Sequence, residues 1–189
     1  MERIIIHWTG GAARANATDL MAYHFCVEAD GTVVEGVRNP EANLDVSDGQ
    51  YAAHTRALNT GSIGVAMCGM HGAREAPFNS GPYPLTETQI AATAALCADL
   101  CATYGIEVTP RTVLTHAEVQ PTLGVWQRSK WDVTWLPDME RPGDPIAVGA
   151  RLRARIAANM PKGEAKAPES VGFVAALMAL LRRIFGGKA

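Results

Sequence analysis

Apolar side chains fall in short continuous runs separated by polar, glycine-rich stretches, and these runs set the predicted elements. "RIIIHWT" is a β-branched stretch of strand length, and its apolar character predicts a central, buried strand ending at His7. "GGAARANATDLM" follows as loop residues and a short, weakly helical segment. "AYHFCVEADGTVVEGV" reads as two strands joined by Asp30 and Gly31, a pair that readily takes the positive φ angles of a two-residue hairpin turn. Residues 39–61 are polar and irregular and lead into "SIGVAMCG", another buried strand. In "LTETQ", Thr86 and Gln89 form a capping-box pattern, so a helix is predicted from there to about Tyr104, where Gly105 offers a left-handed stop. "TVLTH" is again a strand ending in histidine, and a last helix is predicted over 145–159 with Pro145 in its first turn. Strands mixed with two or three helices indicate an α/β or α+β sheet domain, and the chain carries no internal repeats.

Length adds a limit. At 189 residues the chain suits one domain with a full core plus an appendage. Hydrophobic residues make up 48% and charged ones 19%, with a formal net charge of −2, so general disorder is excluded and nucleic acid is not an expected partner. That even balance hides an asymmetry: residues 162–189 carry a net charge of +3, and residues 1–161 one of −5. The opening "MERIIIHW" lacks the basic region, long apolar run and small-residue cleavage site of a secretory signal peptide, so synthesis and folding in a cytoplasm are expected. Cys26, Cys68, Cys97 and Cys101 then read as reduced core residues rather than a disulfide framework. Cys97 and Cys101 are spaced to share a helix face, where burial outweighs metal binding.

The candidate chemistry lies in the histidines. His7 and His116 each end a predicted strand and would meet at one edge of the sheet if those strands are neighbours. Neutral imidazole is the commonest metal ligand, and a catalytic zinc takes three protein ligands and leaves a fourth position for water. Asp132 is the candidate third ligand, brought back by a loop through Pro121 and Gly124. Each residue also has a structural reading: a strand-end histidine is more often a hydrogen-bonded group than a ligand, and a single aspartate is more often a surface carboxylate. Spacing alone leaves both readings open.

Together, "IIIHWTGG", "YHFCVEADGTVVEGV", "AAHTRALNTGSIGVAMCG", "LTHAEV" and "KWD", in this order over roughly residues 3–137, resemble the zinc-dependent N-acetylmuramoyl-L-alanine amidases of the phage-lysozyme and peptidoglycan-recognition-protein type. "THAEVQPTLGVWQRSKWD" is most similar to the phage endolysin branch. The resemblance implies an α/β fold with a central mixed sheet flanked by helices over residues 1–160. It implies zinc held by His7, His116 and Asp132, with Tyr23 and Lys130 as catalytic neighbours, and peptidoglycan as substrate. The bond cleaved would join N-acetylmuramic acid to L-alanine. Some branches have a glutamate where Ala66 aligns, and alanine cannot move protons, which shifts the acid/base role toward Tyr23. His54 aligns with a histidine that often lines the substrate groove, with a structural hydrogen bond the alternative. Trp126 and Trp131 flank the lysine and are candidates to stack on sugar or peptide, with burial the alternative. His24, beside Tyr23 on a strand, is expected to point to the opposite face and bond in the interior, and His71 to be exposed.

The tail reads separately. "PKGEAKAPES", 161–170, is a polar linker, and the apolar, basic segment 171–185 runs from Val171 to Phe185 as a helix too short to span a bilayer. Docking on the body and contact with a partner are alternatives to its reading as a helix engaging anionic membranes. The whole is expected to be a monomeric lytic enzyme of a phage or prophage, held in the host cytoplasm before release to the wall. A wall-recycling amidase of the cell and a non-catalytic peptidoglycan-recognition module are the alternatives.

Overall fold

Strand β1, Arg3–Trp8, is the axis of the molecule: it pairs in parallel with β4, Ser62–Met67, on one side and with β5, Val113–Thr115, on the other. A computed structural model describes residues 1–161. Beyond β4 lies β2, Phe25–Val27, parallel to it, and β3, Val33–Glu35, closes that edge antiparallel to β2. The order is β3-β2-β4-β1-β5, a mixed five-stranded sheet. The basic apolar segment 171–185 and the linker after residue 161 lie outside the described residues.

Alternation along the central strands separates two faces. Ile4, Ile6 and Trp8 of β1, with Phe25, Val27, Ile63, Val65 and Met67, pack into the larger core against α2, Glu87–Tyr104, and α4, Pro145–Asn159. Ile5 and Leu114 face the other way, toward Val119 of α3, His116–Leu123. His7 follows Ile5 on this second face, with Gly64 and Ala66 beside them in register.

Helix α2 begins and ends where its local signals place it, with Thr86 and Gln89 completing the capping box and Gly105 at φ 65°. The hairpin differs in detail. Only Gly31 has positive φ, at 87°, and Glu28 N–H donates to Thr32 C=O, so the turn holds three residues rather than two. Residues 39–61 contain a short 3-10 helix, Pro40–Leu44. All four cysteines are buried and free.

The larger correction concerns His116. It does not end a strand: it is the first residue of α3, and Pro121 lies inside that helix rather than in a loop. Thr115 caps it, its hydroxyl accepting from Glu118 N–H while Glu118 accepts from Thr115 N–H, a reciprocal pair that starts a helix despite the later proline. "THAE" carries the sequence signature of that cap.

Candidate metal centre

His7, His116 and Asp132 meet at the open end of the β1–β5 pair. β1 delivers His7, and the first turn of α3 delivers His116. Asp132 is returned by its own backbone, whose carbonyl accepts from Ala117 N–H in the first turn of α3. Buried Val133, Trp135 and Leu136 then anchor the following stretch in the core. His7 Nδ1 lies 3.0 Å from His116 Nδ1 and 3.1 Å from Asp132 Oδ2, and His116 Nδ1 lies 3.0 Å from the same oxygen.

The outward ring nitrogens decide what these three atoms carry. Gln127 Nε2 donates to Arg56 C=O at 2.9 Å, which turns Gln127 Oε1 toward His116 Nε2, 3.0 Å away. An amide oxygen only accepts, so His116 is protonated at Nε2 and presents a lone pair at Nδ1. His54 Nε2 faces Ser62 C=O at 3.3 Å and must carry its own proton, leaving Nδ1 to accept from His7 Nε2 at 3.3 Å. His7 therefore also turns a lone pair inward. Burial pulls its pKa down to about 4 against the opposing effect of Asp132, with the charge of Lys130 acting in the same direction as burial, so the ring is neutral at pH 7. Burial alone would raise Asp132, but its contacts with the rings of His116 and His7 outweigh it and hold the pKa at about 2, so the carboxylate is ionised.

Three acceptors thus converge with no proton among them, an arrangement that is repulsive unless a cation lies between. A tetrahedral ion with bonds of about 2.0–2.1 Å would set its ligand atoms roughly 3.3 Å apart, close to the distances observed. Two neutral imidazoles and one carboxylate are a fitting donor set for zinc, and the three residues could hold it.

The other candidates divide. Tyr23, at the C-terminal end of α1, Ala17–Ala22, rather than on a strand, brings its ring to 5.1 Å from that of His7. Burial, then the nearby carboxylates of Asp132 and Asp19, push its pKa well above the ordinary phenol value, so it keeps its proton through neutral pH. Ala66, fully buried, sits beside His7 in register and offers no proton. Lys130 is exposed, in a loop where Arg128 and Ser129 take positive φ, and its charge is felt at His7. Trp126 is 57% exposed, with the guanidinium groups of Arg56 and Arg128 at 4.8 and 5.8 Å from its ring centre. Trp131 is half-buried, edge-on to Trp8 and packed on the core, which is the burial alternative.

His54 is 8% exposed and sits behind His7 rather than on an open groove. Its ring fills the space over Gly64, where a β-carbon would come within 2.5 Å of it. His24 is interior, accepting from Gly64 N–H at Nδ1 and bonding Asn43 through Nε2. His71 is exposed. Sequence reasoning missed Gln127, and no local signal marks it: its partners His116 and Arg56 are 11 and 71 positions away.

Residues 1–137 match the family model described as N-acetylmuramoyl-L-alanine amidase. The chain belongs to that amidase family. Among curated protein sequences none matches it closely enough to count as a relative. Among solved structures, it is similar to the N-acetylmuramyl-L-alanine amidase AmiD from E. coli, with a TM-score of 0.55 and 20% identity over 97% of this chain and 70% of that one. The amidase LysC from Clostridium intestinale aligns with a TM-score of 0.47 and 16% identity over 85% and 86% of the two chains. The Ph2119 endolysin from a Thermus scotoductus bacteriophage aligns with a TM-score of 0.44 and 20% identity over 64% and 74%. At 20% identity the likeness to AmiD speaks to the fold alone: the amidase domain is a mixed sheet flanked by helices.

Proposed function

We propose that this amidase is a zinc hydrolase that cleaves the amide between N-acetylmuramic acid and L-alanine in peptidoglycan, as the lytic enzyme of a phage or prophage. The observation that carries the reading is the convergence of three proton-free acceptors, His7 Nδ1, His116 Nδ1 and Asp132 Oδ2, within 3.1 Å of one another. Family membership supplies the substrate class.

An amide is a poor electrophile and neutral water a poor nucleophile. When bound, zinc supplies Lewis acidity that lowers the pKa of water and polarises a carbonyl. The protein's own groups do the rest. Lys130 directs a cation at the same centre, where it stabilises the oxyanion that forms as the carbonyl is attacked. Tyr23, protonated at neutral pH, orients the attacking water and relays a proton: its oxygen accepts from the water as its own hydrogen passes to the departing nitrogen. Ala66 leaves that task to the tyrosine. The exposed face of Trp126 is the surface on which sugar or peptide would stack, and the cationic rim of Arg56 and Arg128 lies with it. The enzyme acts as a monomer and is held in the host cytoplasm before it reaches the wall, with segment 171–185 engaging anionic membrane.

The test is incubation with isolated peptidoglycan, with chelator and with zinc restored, scoring new alanine amino termini against new reducing sugar ends. Zinc-dependent amino termini without reducing ends are expected, and Asp132→Ala should abolish both bound zinc and cleavage in a folded protein. Wall binding without cleavage would instead make the chain a recognition module.

A further inference from the structure

The two histidines of the centre are supported from behind, and both supports lead to one stretch, residues 54–56. His54 Nδ1 faces His7 Nε2 at 3.3 Å, with Thr55 Oγ1 3.4 Å from the same nitrogen and 2.8 Å from His54 Nδ1. Arg56 contributes its backbone carbonyl, which orients Gln127 and through it His116. Three consecutive residues thus fix the outward side of both rings, although His7 and His116 come from different elements.

The stretch is itself shaped by one side chain. Asn59 Oδ1 accepts from His54 N–H at 3.1 Å and from Thr55 N–H at 2.8 Å. Asn59 C=O accepts from the Asn43 side chain at 3.1 Å, tying the turn to the interior. Between them Ala57 adopts φ 53°, a left-handed conformation that the turn must enforce. Outer partners of metal-binding histidines fix tautomer and ring orientation, and their loss typically weakens metal binding about 10–100-fold.

We propose that residues 54–56, held in shape by Asn59, form one outer clamp that sets the tautomers of both metal-facing histidines, making Asn59 a positioning residue for a metal it does not touch. The inference rests on the reading of the centre as a metal site, but the tautomers can be measured in the metal-free chain. Asn59→Leu removes the acceptor at similar volume, and Asn59→Asp keeps it. Gln127→Met tests the second arm without altering the turn.

The full chain should first be examined without metal, by histidine ring 15N NMR. His7 and His116 should both be protonated at Nε2 in the parent and in Asn59→Asp, and should become tautomer mixtures in Asn59→Leu. Competition with a chromophoric zinc chelator should then give about tenfold or greater weakening in Asn59→Leu and in Gln127→Met, with affinity restored to within about threefold in Asn59→Asp. The double variant should lose less than the product of the single losses, because both arms share one support. A fall in melting temperature in Asn59→Leu with parental tautomers and zinc affinity would overturn the clamp. If Asn59→Leu does not fold, unaltered affinity in Gln127→Met overturns it. A parent chain with the expected tautomers but no zinc binding would sink the metal reading and leave the clamp as a support of the two rings.

Discussion

Replacing Gly149 with alanine should destabilise the protein, against the ordinary trend in helices. Gly149 lies inside α4, where alanine is normally favoured over glycine by about 1 kcal/mol. A β-carbon at this position would lie 1.8 Å from Glu118 Oε2 and 2.0 Å from its Cδ. A carboxylate at the end of a free side chain would swing aside, but this one is pinned. Glu118 is fully buried, accepts from Thr115 N–H at 2.8 Å, and pairs with Arg153 at 2.9–3.0 Å. Overpacking typically costs about 1–3 kcal/mol, and complete loss of a buried pair about 3–5 kcal/mol. Partial separation of Glu118 from Arg153, less the helix-propensity gain, leaves a net loss of roughly 2–3 kcal/mol. For a domain of this size that is a fall of roughly 4–12 °C in melting temperature. Circular-dichroism melts should be run in chelator, so that metal binding does not mask the change. The same displacement loosens the cap beneath His116, so zinc affinity should fall as well. A melting temperature equal to or above the parent's would refute the idea that α4 braces the start of α3 through Glu118.

Three further outcomes are expected. Lys130→Ala should retain zinc and lose roughly 100-fold or more in turnover, the usual effect of removing an oxyanion stabiliser; a parental rate with bound metal would remove that role. His24 is held neutral by burial, its pKa lowered to about 4 while the unfolded chain keeps about 6.5. The unfolded state therefore takes up the proton first, and stability that is complete above pH 6.5 is lost as the pH falls toward 4. In chelator, urea unfolding at pH 7.5 and 5 should show His24 contributing about 2 kcal/mol of that loss, and an equal loss in His24→Gln would contradict it. Deleting residues 162–189 should reduce binding to anionic vesicles while sparing activity on bare peptidoglycan, and undiminished vesicle binding would refute the membrane role of the tail.

Legibility in the sequence followed the range of the interactions. Helix α2 was predicted to its last residue because Thr86, Gln89 and Gly105 act within a turn of its ends. The burial of β1 was readable from an uninterrupted apolar run. Helix α3 was not predicted: Pro121 and Gly124 pointed to a loop, although proline lacks only one donor and the reciprocal cap of Thr115 and Glu118 satisfies two. Proximity of His7 to Asp132 required the pairing of β1 with β5 and the Ala117–Asp132 backbone bond, neither of which spacing encodes. The order of family segments stood in for that missing information.

What spacing could least provide is the protonation of the centre. A histidine's position says nothing of which nitrogen faces inward; that depends on Ser62 C=O behind His54 and Arg56 C=O behind Gln127, both backbone groups with no side-chain signature. Because a carbonyl can only accept, each fixes a chain of donors that ends in a lone pair at the centre. The affinity of this site for a cation is thus set by the fold of residues 54–62 as well as by the three residues that would touch it. If the centre holds zinc as proposed, a substitution there should weaken metal binding while leaving His7, His116 and Asp132 in place.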